Sequence, residues 1–125
     1  MRNFLIPVLL FAMLLGCQSK KSDIPTVAFI DAFQDNTIAK AKEGFFAALT
    51  ENGFDEKKGT LQVIYRNAQG DIPTLTQITK YMVSQKPTLI ATCPTLATIT
   101  AVQNVKDIPI FMMVSETVER LQVKS

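Results

Sequence analysis

The chain has 125 residues, a formal net charge of +2 and 47% apolar residues. It contains no His, no Trp and only two Cys, which excludes a His-based catalytic triad, His metal ligation and a scaffold held by many disulfides. Its 13 basic and 11 acidic residues form no basic patch interleaved with aromatics, so the composition argues against nucleic-acid binding. The length allows one domain at most.

The first 16 residues form the most apolar segment of the chain. Twelve of them are apolar and Arg2 carries their only charge, a pattern typical of a secretory signal. A membrane-spanning helix needs about 20 apolar residues, so this run is short for one. The alternative is a buried core helix, although a helix that is apolar on every face is an unusual start for a domain. We predict that residues 1–16 are a signal peptide.

The end of this segment reads Leu14-Leu15-Gly16-Cys17 and resembles the lipobox of bacterial lipoproteins. The resemblance implies cleavage before Cys17, diacylation of its thiol and acylation of the new N-terminus. The alternative is an ordinary cleaved signal that happens to contain a Cys. Residues 18–25 are polar and charged and end in Pro, so we predict that residues 17–25 are a lipid anchor and a flexible tether. The chain would then be exported and held at the periplasmic or cell-surface side of a bacterial membrane.

Beyond the tether, strand-like and helix-like segments alternate. Residues 26–30 form an apolar run that predicts a first strand, and residues 36–52 show helical spacing. Asp35 or Asn36 can cap the start of this helix, and Gly53 suits a left-handed residue after its end. The predicted buried face of the first helix consists of Ile38, Ala41, Phe45, Phe46 and Leu49.

The rest of the chain continues the alternation. Three further strands are predicted at residues 60–66, 88–93 and 110–114. Between them lie two helices: Asp71 and Pro73 open one, which Pro87 ends, and Pro94 opens the other. The predicted apolar faces are Leu75, Ile78 and Met82 on the second helix and Leu96, Ile99 and Val102 on the third.

The βαβαβαβ order predicts an α/β fold with a parallel sheet covered by helices on both faces. The near-continuous apolar runs of the first, third and fourth strands predict burial on both sides. The right-handed crossover rule places the helices alternately, which gives a doubly wound sheet. In such sheets, ligands bind beyond the carboxyl ends of the strands, near the point where the strand order reverses.

Four loops follow the carboxyl ends of the predicted strands, at residues 31–35, 67–71, 92–95 and 115–117. The third loop starts a helix whose first N–H groups have no internal partner; these groups, the Thr hydroxyls and the helix dipole favour an anion such as a carboxylate. Alternatively, Thr92 or Thr95 simply caps this helix. Phe33 is either an apolar surface for a ligand or a half-buried loop anchor. The second loop either contacts a ligand or is a plain turn in which Asp71 caps its helix.

No catalytic constellation is recognisable in the sequence. It lacks a G-x-G-x-x-G string after a strand, a phosphate loop, a G-x-S-x-G elbow and an informative pair of carboxylates. Cys93 stands at a predicted helix N-terminus, where a thiol can become nucleophilic. Because no His can activate it and no second Cys can resolve it, a small buried residue is the better interpretation. We expect no enzyme, no cofactor and no metal.

Several strings together resemble the ABC-transporter substrate-binding lipoproteins of the tryptophan/tyrosine-binding type. They are Val-Ile-Tyr-Arg-Asn-Ala-Gln-Gly-Asp at residues 63–71, Thr-Leu-Ile-Ala-Thr-Cys-Pro-Thr at residues 88–95 and Lys-Asp-Ile-Pro-Ile at residues 106–110. The resemblance implies one lobe of a type I periplasmic-binding fold, in which two α/β lobes close over a small ligand. It also implies delivery of that ligand, in several members an aromatic amino acid, to a membrane permease driven by a separate ATPase.

Carried over from that family, the ligand contacts fall on the loops at the carboxyl edge of the sheet. The residues implied are Phe33, Gln34, Asn67 and Gln69 on the wall of the cleft and Thr92, Pro94 and Thr95 at the helix end that receives a carboxylate. Family members have a second lobe, so we expect residues 26–125 to be the N-terminal lobe of a truncated chain. A lipid-anchored signalling or interaction module is the alternative, but Thr92-Cys93-Pro94 stands where a receiver-like domain has its phosphorylated Asp.

Overall fold

The computed structural model describes residues 23–113, so the predicted signal peptide, Cys17 and the loop at residues 115–117 lie outside it. The described part contains four strands and three helices. In chain order they are β1 (Thr26–Asp31), α1 (Asn36–Glu51), β2 (Gln62–Asn67), α2 (Ile72–Ser84), β3 (Leu89–Cys93), α3 (Thr95–Asn104) and β4 (Ile110–Met112). The predicted order of elements is confirmed.

The sheet is parallel throughout and has the strand order β2-β1-β3-β4. The predicted doubly wound α/β fold is therefore confirmed. The chain steps from β1 to β2 on one side, then returns past β1 to β3 and continues to β4. Right-handed crossovers change face only when this direction changes. As a result α1 covers one face and α2 and α3 share the other, instead of the strict alternation that was predicted.

The α1 face is built from aromatic rings around Phe29, which is fully buried at the centre of β1. Its ring centroid lies 5.9 Å from that of Phe45, 5.6 Å from that of Phe46 and 6.1 Å from that of Tyr65. The face predicted from the spacing packs here as expected. It consists of Ile38, Ala41, Phe45, Phe46 and Leu49.

The other face is packed by α2 through Leu75 and Met82, which are buried as predicted. For α3 the prediction holds for Leu96, which packs against the core, but is wrong for Ile99 and Val102, which are 50% and 62% exposed. This helix contacts α2, β3 and β4 through small side chains on a different face. They are Ala97, Thr100 and Ala101. Small residues let the helix approach three neighbouring elements closely. The spacing of apolar residues does not show how close that approach has to be.

The fourth strand also differs from the prediction. β1 and β3 are buried on both sides, as expected, but Phe111 and Met112 in β4 are each 48% exposed. Within the described sheet, β4 pairs only with β3 and forms its edge. A central strand has neighbours on both sides and helices on both faces, and β4 has fewer of these contacts.

Candidate functional site

Three loops meet at the carboxyl edge of the sheet, held side by side by backbone hydrogen bonds. The N–H of Ala32 donates to the carbonyl of Cys93 over 3.0 Å, which ties the β1–α1 loop to β3. The N–H of Ala68 donates to the carbonyl of Asp31 over 3.0 Å, and that of Gly70 to the carbonyl of Ala32 over 2.8 Å. Because β1 and β3 flank the reversal of strand order, the site lies where open α/β sheets bind ligands.

The β2–α2 loop is a tight turn that ends in a helix cap. Oδ1 of Asn67 accepts from the N–H of Gln69 over 2.7 Å, and Gln69 has a φ of +53°, in the left-handed region that few residues other than glycine adopt. Asp71 accepts from the N–H of Thr74 over 2.8 Å, so its predicted capping role is confirmed. Hydrogen bonds from the hydroxyl and the N–H of Thr74 lower the pKa of Asp71. The exposed side chain of Gln69 remains directed away from the core and free of hydrogen bonds within residues 23–113.

The β3–α3 loop leaves its helix without a side-chain cap. Pro94 precedes the first turn of α3, joined to Cys93 by a cis peptide bond, and no side-chain hydrogen bond caps the helix. The alternative that Thr92 or Thr95 caps α3 is therefore wrong. The hydroxyl of Thr92 lies 2.7 Å from that of Thr98, and the buried hydroxyl of Thr95 has no hydrogen-bond partner in the described part of the chain. The first N–H groups of the helix stay available to a ligand.

The two predicted site residues of the β1–α1 loop differ in burial. Phe33 is partly buried and packs against the clusters on both faces of the sheet, so it anchors the loop across the edge of the sheet. Gln34 is exposed. Thr92 is fully buried and Pro94 is also buried, so these two predicted residues lie beneath the surface of the β3–α3 loop.

A buried cluster that the sequence did not reveal lies under this edge. Asp31, the last residue of β1, is fully buried, and its Oδ2 accepts from the Tyr65 hydroxyl over 2.7 Å. Nζ of Lys42 lies 3.5 Å from the same oxygen and 4.0 Å from the centre of the Tyr65 ring. Burial raises the pKa of Asp31, while the hydrogen bond from Tyr65 and the charge of Lys42 oppose that rise.

The cluster borders a depression of about 410 Å³ beside the start of α1. Five of its seven lining residues are polar. The lining residues are Asp31, Gln34, Asp35, Asn36, Ile38, Ala39 and Lys42. The predicted ligand residue Gln34 and the unforeseen Asp31 therefore share one concavity.

Cys93 is fully buried, which confirms the interpretation of a small core residue. Burial, together with the nearby charges of Asp31 and Asp35, raises the pKa of its thiol to about 11. A thiol with such a pKa is protonated near neutral pH and is a poor nucleophile.

Residues 23–113 contain no group of three or more His, Cys, Asp or Glu that could hold a metal ion. None of the helices in that range has the length and hydropathy required to cross a membrane.

The fold is that of a periplasmic-binding-protein-like α/β lobe, whose loops converge at a reversal of strand order. The chain belongs to the family described as ABC transporter substrate binding protein, whose model matches residues 26–121. It is similar to a tyrosine-binding protein of Clostridioides difficile (strain R20291), with 33% identity over 94% of this chain and 38% of the relative.

Solved structures agree with this assignment. The ligand-free, open structure of a substrate binding protein with adhesive properties from Clostridium difficile is 29% identical, with a TM-score of 0.70 over 77% of this chain and 32% of that one. An ABC domain in complex with L-Trp from Streptococcus pneumonia is 18% identical and shares the fold, with a TM-score of 0.69 over 81% of this chain and 34% of that one. The chain thus spans about a third of the length of these relatives.

Proposed function

We propose that residues 26–125 are the N-terminal lobe of a protein that captures a small organic solute, first of all an amino acid, and delivers it to the permease of an ABC importer. A separate ATPase would drive that permease. Membership of the substrate-binding family supports the role, and one relative is named for tyrosine while another structure contains L-Trp. Because the chain spans about a third of these relatives, closure by a second lobe is part of the proposal.

The open N-terminus of α3 is the observation that carries the proposal. It lies at the reversal of strand order, and within residues 23–113 it has no side-chain cap and the buried hydroxyl of Thr95 has no hydrogen-bond partner. The unpaired N–H groups and the positive end of the helix dipole favour a carboxylate there. Thr95 would bind the anion directly, while Thr92 and Pro94 fix the position of the loop.

The remaining predicted contacts would give the site its selectivity. In the proposed site, Phe33 is an apolar wall, Gln34 and Gln69 present amide groups around the ligand, and Asn67, whose amide bonds to the N–H of Gln69 and the hydroxyl of Tyr65, fixes the turn beside it. The exposure of Gln34 and Gln69 at the carboxyl edge supports this arrangement. Binding would occur without catalysis or a cofactor, in keeping with the protonated thiol of Cys93.

The proposed place of action is the exported side of a bacterial membrane. Residues 1–16 would be removed as a signal peptide, Cys17 would carry the lipid, and residues 17–25 would tether the lobe. Replacing the thiol by a hydroxyl in Cys17→Ser should move the protein from the membrane fraction to the soluble fraction. Equal membrane partition of both proteins would overturn the lipid anchor.

Thermal denaturation of the product of the complete reading frame, with each amino acid added in turn, tests the ligand class. A ligand at about 100 times its Kd should stabilise the protein by about 2.7 kcal/mol and raise its Tm. The amide derivative of the same amino acid should give a much smaller shift, because it lacks the carboxylate. Absence of a shift with every amino acid would contradict the proposed ligand class.

A paired substitution tests the proposed carboxylate site. Thr95→Val removes the hydroxyl at the open end of α3 and should weaken binding of the amino acid that gives the Tm shift. Thr76→Val is the matched control, because the hydroxyl of Thr76 bonds to the carbonyl of Ile72 within α2. Equal affinity in both variants would remove Thr95 from the site.

A further inference from the structure

We propose that Asp31 forms a subsite for the ammonium group of the ligand, so that this lobe binds both charged groups of an α-amino acid. The inference rests on the proposed function and deepens it. The carboxylate of the ligand would lie at the open end of α3, and its ammonium group would donate to Oδ1 of Asp31. None of the residues that the sequence indicated as ligand contacts carries a negative charge that could play this role.

Within residues 23–113, one carboxylate oxygen of Asp31 has hydrogen-bond partners and the other has none. Its Oδ2 receives the Tyr65 hydroxyl and faces Lys42, whereas its Oδ1 is enclosed and has no hydrogen-bond partner among the described residues. Leaving a buried charged acceptor unpartnered is strongly unfavourable, so a hydrogen-bond donor at this oxygen would stabilise the carboxylate. Asp31 also lines the depression beside α1, so the proposed donor would approach from there.

The charges around the depression favour a cation as that donor. Its lining contains two carboxylates, Asp31 and Asp35, and one ammonium, that of Lys42. Nζ of Lys42 lies near Oδ2 of Asp31 and the ring of Tyr65, so among residues 23–113 no cation pairs with Oδ1 and the charge of Asp35 remains in excess. The carboxylate of Asp35 accepts a hydrogen bond from the N–H of Ile38 over 2.8 Å and thereby caps α1. An ammonium group at Oδ1 would balance the excess negative charge.

The position of Asp31 relative to α3 suits a ligand with two opposite charges. Asp31 and Cys93 are register partners on β1 and β3, and neighbouring strands lie about 4.8 Å apart. Thr95 begins α3 two residues after Cys93. Asp31 faces the α1 side of the sheet, and α3 covers the other side, so the two charges flank the reversal of strand order. In the proposal, a single small zwitterion spans these two positions.

The test compares matched probes on the product of the complete reading frame by isothermal titration calorimetry. The probes are L-tyrosine and 3-(4-hydroxyphenyl)propanoate, which differ only in the ammonium group. We expect the wild-type protein to bind L-tyrosine about 10-fold or more tightly than the desamino acid, as charge-assisted hydrogen bonds imply. Asp31→Asn, which keeps the size and an acceptor for Tyr65, should abolish most of that difference. Asp107→Asn, an equal charge change in the exposed connection before β4, should leave it unchanged.

Each outcome decides a separate question. Equal affinity of the wild-type protein for both probes would overturn the ammonium subsite while leaving the proposed function intact, even if Asp31→Asn failed to fold. Equal weakening of both probes by Asp31→Asn would show a structural role only and would also overturn it. If the thermal screen selects another amino acid, that amino acid and its desamino analogue replace the tyrosine pair, and binding of no amino acid would overturn both the proposed ligand class and this inference.

Discussion

Helices α1 and α3 begin on opposite faces of the sheet at the same reversal of strand order, but they are built differently. α1 is capped by the carboxylate of Asp35 and packs through aromatic rings. α3 has no side-chain cap and packs through alanines, with Ile99 and Val102 exposed. A terminus that is satisfied internally has few donors left for a ligand, so the proposed carboxylate site lies at the helix that does not cap itself.

The largest effect should follow from removing the ring on which α1 packs. Phe29→Ala deletes a fully buried aromatic side chain that contacts three other rings, and should lower the free energy of unfolding by about 3–5 kcal/mol. Urea denaturation measures this loss. Phe54→Ala is the control, because that ring is 41% exposed and should cost clearly less. Similar losses in both variants would contradict an aromatic core under α1.

Overpacking should be the main vulnerability of α3. Ala101 is fully buried, so Ala101→Leu should destabilise the protein by about 1–3 kcal/mol, because the helix has to move away from its neighbours. Val102→Leu on the exposed side of the same helix should change the stability by less than about 0.5 kcal/mol. Urea denaturation of the pair tests whether the small residues form the buried face. The reverse order of losses would restore the face predicted from apolar spacing.

This contrast also explains what could be predicted from the sequence. The bounds of α1 and its packed face followed from spacing because its largest apolar residues are the ones that pack against the sheet. On α3 the same rule chose Ile99 and Val102, while the close approach of three elements selected Ala97 and Ala101 instead. Periodicity identifies a helix but does not measure the space available to it.

The candidate site also combines features that could be predicted from the sequence with features that could not. Local features such as the caps formed by Asp35 and Asp71 were predictable, because donor and acceptor are three residues apart. The contact between Asp31 and Tyr65 joins residues 34 positions apart and depends on the register of β1 with β2. A signal was present, since Asp31 ends a buried apolar strand, but its partner became identifiable only in the folded sheet.

The two helix termini should respond differently to loss of a polar side chain. Asp35→Ala removes the acceptor for the N–H of Ile38 and should cost about 1 kcal/mol. Thr95→Val replaces a buried, unpartnered hydroxyl by a methyl group, so the unliganded protein should keep or slightly gain stability. Thermal or urea denaturation without ligand measures both changes. A loss for Thr95→Val as large as that for Asp35→Ala would mean that α3 is capped after all.

The smallest effect should be a difference in pH dependence between a capping carboxylate and the enclosed one. The pKa of Asp31 is raised by burial, so its contribution to stability is present below the unfolded-state pKa near 3.8 and is lost as the pH rises through the folded-state pKa. The pKa of Asp71 is lowered by its bonds to Thr74, so its contribution is present above that value and is lost as the pH falls.

Relative to the wild-type protein, Asp31→Asn should therefore become more favourable, and Asp71→Asn less favourable, as the pH rises from about 3 to about 7. Urea denaturation at several pH values measures the two slopes. They should be shallow, because Tyr65 and Lys42 oppose the effect of burial on Asp31 and because Asp71 is exposed to solvent. Slopes of the same sign would mean that Asp31 is stabilised as a carboxylate by its neighbours. In that case the hydrogen bond from Tyr65 and the charge of Lys42, both at Oδ2, would outweigh the effect of burial on Asp31.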